Sequence, residues 1–333
     1  MAQKELHKII ISRTDSIGDV MLTLPICVWL REHYPEAELI FLGRTYTESV
    51  VSCFTSIDRF LNWDELQNLP LSAKMSSMNA DCIIHVFPRR EIAVLAKKAK
   101  IPLRIGTAHR TFHFLNCNSR VNFSRKKSIL HEAQLNFELL RPLGLQSIPS
   151  LNDLQNQASN FVVPKVNMPT FLKDINWDKA IVLHPKSQGS ALEWPLENYV
   201  DLANLLVADG YAVLLTGTEK EGELFRHLFQ LGDSLIDSTG KLKLNELIFV
   251  LSNVKALVAC STGPLHISAM LNKKSVGLFS MRKPIHPGRW KPLGMNSISL
   301  VFDEKCPTCA KGVICQCLRK IPVNEVRNAL LDL

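Results

Sequence analysis

Residues 184–195, HPKSQGSALEWP, and residues 261–268, STGPLHIS, have the residue types and spacing of phosphate-holding turns. In each, an apolar run that reads as a buried parallel strand (residues 180–183 and 256–259) gives way to Ser, Thr and Gly and then to an amphipathic helix. A turn of this kind aims backbone N–H groups and the positive end of a helix at an anion. Two of them in one half of the chain suggest a nucleotide-diphosphate site. Its place would be the carboxyl ends of parallel strands, where open α/β sheets bind ligands.

The elements that must carry these turns alternate. In the first half, residues 8–12, 38–42 and 81–87 read as strands and residues 20–33 and 130–140 as helices. From 151 to 178 the composition shifts to Asn, Gln, Ser and Pro without a clear period, which reads as a linker. A second alternation follows: strand 180–183, helix 195–208, strand 211–215, helices 219–231 and 244–251, strand 256–259, helix 265–271 and strand 275–279. Pro195 at a helix's first position and Gly210 just past its end follow the usual asymmetry of helix termini. The expected fold class is α/β, with two Rossmann-like domains (residues 1–160 and 175–333) whose parallel sheets face each other across a cleft.

A length of 333 residues suits two domains. No run approaches the ~20 apolar residues of a membrane span, and no leader pattern opens the chain, so a cytoplasmic protein is expected. With 39 Lys and Arg against 31 Asp and Glu, the formal charge of +8 favours anionic partners: phosphorylated substrates, an acidic membrane face or nucleic acid. An NAD-dependent dehydrogenase would want Gly-x-Gly-x-x-Gly after the first strand, whereas TDSIGDV holds one Gly.

Five segments in order carry a resemblance: DSIGDVMLTLP (15–25), HPKSQGSALEWP (184–195), TGTEKE (216–221), STGPLHISAML (261–271) and RWKPLG (289–294). Over nearly its whole length the chain resembles glycosyltransferase family 9, the bacterial lipopolysaccharide heptosyltransferases with the GT-B fold. The resemblance implies an inverting, metal-independent transfer of heptose from ADP-L-glycero-D-manno-heptose to a lipopolysaccharide inner-core acceptor, with no cofactor. It implies Asp19 as the general base that takes the acceptor's proton, although an Asp before an apolar helix also serves as an ordinary N-cap. Asp15 would be the cap or an orienting partner. Gly18 would give the permissive backbone that lets the chain approach the acceptor.

On the donor side, the amides of Thr262 and Gly263 would face the pyrophosphate, and His266 in the helix's first turn would stabilise charge on the leaving phosphate. Lys186, Ser187, Gln188 and Ser190 offer further donors. Glu221 matches the family's acidic residue after the Gly turn, where it would accept from ribose or sugar hydroxyls. His266 satisfied by backbone, and Glu221 as a solvated first-turn acid, are the plainer readings. The chain departs from the family pattern at Leu192, where Lys or Arg is frequent, and at Ser261, where Asp is frequent.

A basic stretch (Arg89, Arg90, Lys97, Lys98, Lys100, Arg104, His109, Arg110, Arg120, Arg125, Lys126, Lys127) lies where the family binds its acidic acceptor. Arg104, Arg110 and Arg120 are the expected anchors for an anionic glycolipid at the inner-membrane surface. Cys306, Cys309, Cys315 and Cys317, spaced CxxC then CxC, read either as a tetrahedral zinc site or as reduced structural thiols. Two alternatives remain: a GT-B enzyme using another nucleotide sugar on a core oligosaccharide or other glycan, and, more distantly, a non-enzymatic nucleotide- or anion-binding protein. Nucleic acid is not an expected partner.

Overall fold

The computed structural model describes residues 5–125, 128–156, 160–189 and 191–331. The chain divides into two units, Met1–Val162 and Val163–Leu333. Each holds one six-stranded sheet in which every strand pair is parallel.

In the first unit the strands are β1 (Lys8–Ser12), β2 (Glu38–Gly43), β3 (Arg59–Asn62), β4 (Cys82–His85), β5 (Leu103–Thr107) and β6 (Ser119–Val121), ordered β3-β2-β1-β4-β5-β6. The second unit repeats that order with β7 (Ala180–His184), β8 (Ala212–Leu215), β9 (Leu235–Asp237), β10 (Ala256–Cys260), β11 (Lys274–Phe279) and β12 (Ser297–Val301), as β12-β11-β10-β7-β8-β9. This is the doubly wound α/β arrangement. Chain direction across the sheet reverses between β1 and β4 and again between β7 and β10, and the crevice outside the carboxyl ends at such a point takes ligands.

Burial explains why the central strands form. Ile9, Ile10 and Ile11 of β1, Ile181, Val182 and Leu183 of β7 and Leu257, Val258 and Ala259 of β10 are fully buried, as parallel strands covered on both faces must be. Asp81 sets the start of β4, its carboxylate accepting the amides of His7 and Lys8 at 2.8 and 2.9 Å.

The span 20–33 is two helices, Ile17–Met21 and Leu24–His33. Pro25 has no N–H to give to the carbonyl of Met21 and crowds it, so the chain restarts. The span 219–231 likewise closes early, as Glu219–Phe225 with one 3₁₀ turn behind it, and the linker-like stretch contains the helix Leu151–Gln155.

Trp194, 1% exposed, packs edge-to-face on Tyr199 and donates to the carbonyl of Ile321 at 3.1 Å, tying the chain's end to the second unit's core. The helix Val323–Leu331 returns onto the helix Leu196–Ala208, where Arg327 grips Asp209 with two 2.6 Å bonds. Among the described residues no helix is long and apolar enough to cross a membrane.

Candidate active site

In the first unit the chemistry gathers just past β1. Asp19 is the third residue of the helix Ile17–Met21, and Ser16 holds the cap position. Its carboxylate accepts from the Ser16 hydroxyl and from the Arg13 guanidinium. Gly18 has ordinary helical backbone and is not among the positive-φ glycines, so what it gives is the missing side chain, not unusual torsion.

Arg13 is the hub and was not anticipated from sequence. Only 3% exposed, its guanidinium reaches Asp15 at 2.6 Å, Asp19, Glu132 at 3.4 Å and the Asn136 side chain at 3.5 Å. Glu132, itself 1% exposed, also takes Arg125 at 3.0 Å, and Arg125 donates to Asn136 at 3.0 Å. Asn136 in turn donates to the carbonyl of Leu22 at 2.9 Å, fixing the network to the chain between the two helices. Burial alone would lower the Arg13 pKa, but Asp15, Asp19 and Glu132 together raise it, so the guanidinium stays charged.

Asp15 differs from its neighbours. Burial pushes its carboxyl up to about 6, against the opposite pull of Arg13, and nearby Asp19 pushes it the same way as burial. Its folded pKa thus lies above the unfolded value of 3.8. The native state then binds more protons than the unfolded chain between pH ~4 and ~6, so the Asp15 contribution to stability falls as pH rises through that window. Ionised Asp15 also shares Arg13 with Asp19 and adds negative charge beside it. If Asp19 takes the acceptor's proton, as proposed below, kcat/KM should rise through pH ~6 while stability falls, and Asp15→Asn should remove both trends. Unchanged pH profiles in Asp15→Asn would disprove this.

The anticipated arginines are not gathered together. Arg104 lies near the amino end of β5, where its guanidinium is engaged by the carbonyls of Asn116, at 2.7 Å, and Ile101, tying the segment's ends. Arg120, on the edge strand β6, donates to Cys117 at 2.9 Å and lies over the Phe114 ring at 4.9 Å. Arg110 is exposed past the carboxyl end of β5, at the entry to the helix Thr111–Asn116. Of the basic residues, Arg89 reaches the β1 loop, donating to the Thr14 hydroxyl at 3.1 Å, and Arg125 shares the Arg13 partners Glu132 and Asn136. Lys126 and Lys127 lie outside the described residues.

In the second unit the two phosphate-type turns follow β7 and β10, which are neighbours at the point where direction reverses. After β10, Thr262 caps the helix Gly263–Met270 in extended backbone, and its buried hydroxyl has no hydrogen-bond partner among the described residues. His266 is buried in the first turn, its amide donating to the Thr262 carbonyl at 3.4 Å, and Ser261 is half-buried.

After β7 the loop is locked by Glu193, a residue the sequence reading did not single out. It pairs with the Lys186 ammonium and accepts the Ser187 amide and hydroxyl, each at 2.9 Å. Leu192 packs onto the core, which accounts for its being apolar. Ser190 lies outside the described residues.

Glu221 is 6% exposed, not solvated. It closes a reciprocal cap, accepting from the Thr218 amide and hydroxyl at 2.7 and 2.9 Å while its own amide donates to that hydroxyl at 3.3 Å. His184, at the end of β7, shares a hydrogen bond with Thr216 at 2.9 Å. Burial lowers its pKa to about 4 in spite of Glu221 and Glu193, so the ring is neutral at physiological pH. The carboxyl ends of β7, β8 and β10 thus bring together Lys186, Ser187, Glu193, His184, Glu221, Thr262 and Gly263.

The sequence model of glycosyltransferase family 9 (heptosyltransferase) matches residues 70–317. A lipooligosaccharide heptosyltransferase 2 of Haemophilus influenzae is 34% identical over 101 residues, 29% of each chain. The crystal structure of a family 9 glycosyl transferase from Veillonella parvula shares 20% identity and superposes with a TM-score of 0.78 over 99% of both chains. The structure of the Escherichia coli ADP-heptose lipopolysaccharide heptosyltransferase II gives 18% identity and a TM-score of 0.74 over 98% of this chain and 99% of that one. The fold is therefore GT-B.

Proposed function

Because this chain belongs to glycosyltransferase family 9, we propose that it is an inverting heptosyltransferase moving heptose from ADP-L-glycero-D-manno-heptose to a lipopolysaccharide inner-core acceptor. The observation that carries the reading is Asp19 held by Arg13 and Ser16 at the carboxyl end of β1. An inverting transfer is one displacement: the acceptor oxygen bonds to the sugar's anomeric carbon and its proton passes to Asp19. The carbon–oxygen bond to phosphate breaks, and ADP leaves with the electron pair.

The leaving diphosphate would be met by the amides at the start of the helix Gly263–Met270, the Thr262 hydroxyl, His266, Ser261, Lys186, Ser187 and Ser190. Thr262 supports this most directly, since a buried hydroxyl without a partner costs free energy until a ligand satisfies it. Lys186 already holds Glu193, so it would serve phosphate and carboxylate together. Glu221 keeps carboxylate capacity near His184 for ribose or sugar hydroxyls.

The acceptor is anionic in this reading. Arg89 and Arg110 stand past the carboxyl ends of β4 and β5 and take the place of Arg104, which lies near the amino end of β5, as the nearer basic groups, with Arg120 on the edge strand β6 further out. Phe114 and Leu115 are 56% and 73% exposed beside Arg110 and Arg120, a basic-apolar pairing that suits peripheral attachment at the inner face of the membrane.

The test is a thermal-shift screen of nucleotide sugars on the full chain, followed by turnover on a phosphorylated core acceptor. ADP-heptose should stabilise most, and the product linkage should be inverted. A larger shift with another nucleotide sugar would favour the second reading, a GT-B enzyme of different donor, which Leu192 and Ser261 motivate. Raising salt should raise the acceptor KM more than the donor KM, because exposed charges are screened over about 8 Å at physiological ionic strength. Equal responses of the two constants would remove the anionic-acceptor reading.

A further inference from the structure

The connection from β12 to the helix Val323–Leu331 covers residues 302–322; Leu318 and Ile321 enter the main core, while the stretch 302–317 before them, holding only the one-turn helix Pro307–Ala310 among the described residues, exceeds the ~12–15 residues of most irregular connections. Something must hold it. Within it Cys306 caps the short helix Pro307–Ala310, Cys309 lies inside that helix, Gly312 turns the chain with φ +77°, and Cys315 and Cys317 return. The turn is closed by the Ala310 amide on the Cys306 carbonyl at 3.1 Å and the Gly312 amide on the Cys309 carbonyl at 2.9 Å.

All four sulfurs lie within 4.8 Å of one another. A tetrahedron of thiolates at ~2.3 Å from a metal has edges of about 3.8 Å, so little adjustment brings them to one ion. Three of the cysteines are buried, and the Cys317 amide donates to the Cys315 sulfur at 3.4 Å. Apart from the four cysteines this cluster contains only Met281, separate from the unit's main core. So small an apolar patch does not offset the entropy of ordering the long connection around it. Cys309 and Cys315 stand 2.7 Å apart, but a bridge between them would leave Cys306 and Cys317 packed against it with nothing to bind.

We propose that Cys306, Cys309, Cys315 and Cys317 form a tetrathiolate site for one thiophilic divalent metal ion, zinc or iron, that fixes the connection 302–322. Four-sulfur tetrahedral sites select these metals over hard cations such as magnesium. The site also clips the exit of β11, because the Lys283 amide donates to the Cys309 carbonyl at 3.4 Å and Arg282 to the Gly312 carbonyl at 3.0 Å. β11 neighbours β10, whose end carries Ser261, Thr262 and Gly263. The ion thereby positions the segment beside that turn. This last consequence rests on reading that turn as the donor site, whereas the metal content does not.

The test begins with elemental analysis of the full chain purified without chelator. About one zinc or iron per chain is expected; an iron site, once air-oxidised to the ferric state, also shows visible thiolate-to-metal absorption that zinc lacks. Alkylation of the native protein should spare the four cysteines until a chelator under denaturing conditions removes the ion. Cys309→Ser with Cys315→Ser should abolish metal binding, and Cys53→Ser should leave it intact. Should the double variant fail to fold, the wild-type stoichiometry and alkylation pattern decide alone. Metal far below one per chain, metal retained in a folded double variant, or a Cys309–Cys315 disulfide in the native mass overturns the proposal. Stoichiometric metal whose release leaves ADP affinity unchanged would overturn only the link to the donor turn.

Discussion

Asp19→Asn leaves the fold and donor affinity in place and lowers kcat by about 10²-fold or more, the usual scale for losing a general base. The amide keeps the size of the carboxylate; its oxygen still accepts from Arg13, and its NH2 group donates to the Ser16 hydroxyl, which turns from donor to acceptor. Arg13 retains Asp15 and Glu132 as charged partners, so no buried cation is left unpaired. What disappears is the ability to take a proton from the acceptor hydroxyl. The KM for the sugar nucleotide should stay near the parent value, because the groups proposed to bind it follow the other unit's strands. The measurement is steady-state turnover at saturating donor and acceptor, with thermal melting as the check on folding. Near-native turnover would take Asp19 out of the mechanism and require another base in that loop.

The sequence reveals the parts of this fold that burial writes into it. β1, β2, β7, β8, β10 and β11 carry short apolar runs (III, LIFL, AIVL, AVLL, ALVA and VGLF) because both faces of these strands are covered. β3, β6, β9 and β12 lie at sheet edges, where RFLN, SRV, LID and SISLV are short or mixed with polar residues and carry no strand signal of their own. β5 is interior, but Arg104 interrupts its apolar run. A similar limit applies at the site. Asp19 and the two phosphate-type turns stand in local motifs, so spacing exposes them. The pairing of Arg13 with Glu132 spans 119 residues, and no local pattern encodes it. One signal was available: Arg13 is separated by Ser12 alone from the apolar run Ile9–Ile11 of a central strand, where a charge enters the interior and needs acids as partners.

Arg13→Met should be the most destabilising single change in the first unit. The guanidinium is the shared partner of Asp15, Asp19 and Glu132, and removing one member of a buried ion network typically costs ~3–5 kcal/mol, because the charges left behind are neither solvated nor paired. Met fills much the same volume, so a cavity does not account for the loss. Arg125 still neutralises Glu132, which leaves Asp15 and Asp19 as the uncompensated pair. The Asp15 carboxyl, already raised by burial against the pull of Arg13, should then rise further, and a carboxyl raised in the native state gives stability at low pH that is lost as pH increases. The variant should therefore lose far more stability at pH 8 than at pH 5.5 in urea unfolding, and adding Asp15→Asn should restore part of it. Arg31→Met serves as the control: Arg31 and Asp58 are 28% and 44% exposed, and such a pair is worth ~1 kcal/mol or less. If Arg13→Met unfolds at the parent's urea concentration at both pH values, the buried network does not hold this loop, and Asp19 owes its position to the helix and Ser16 alone.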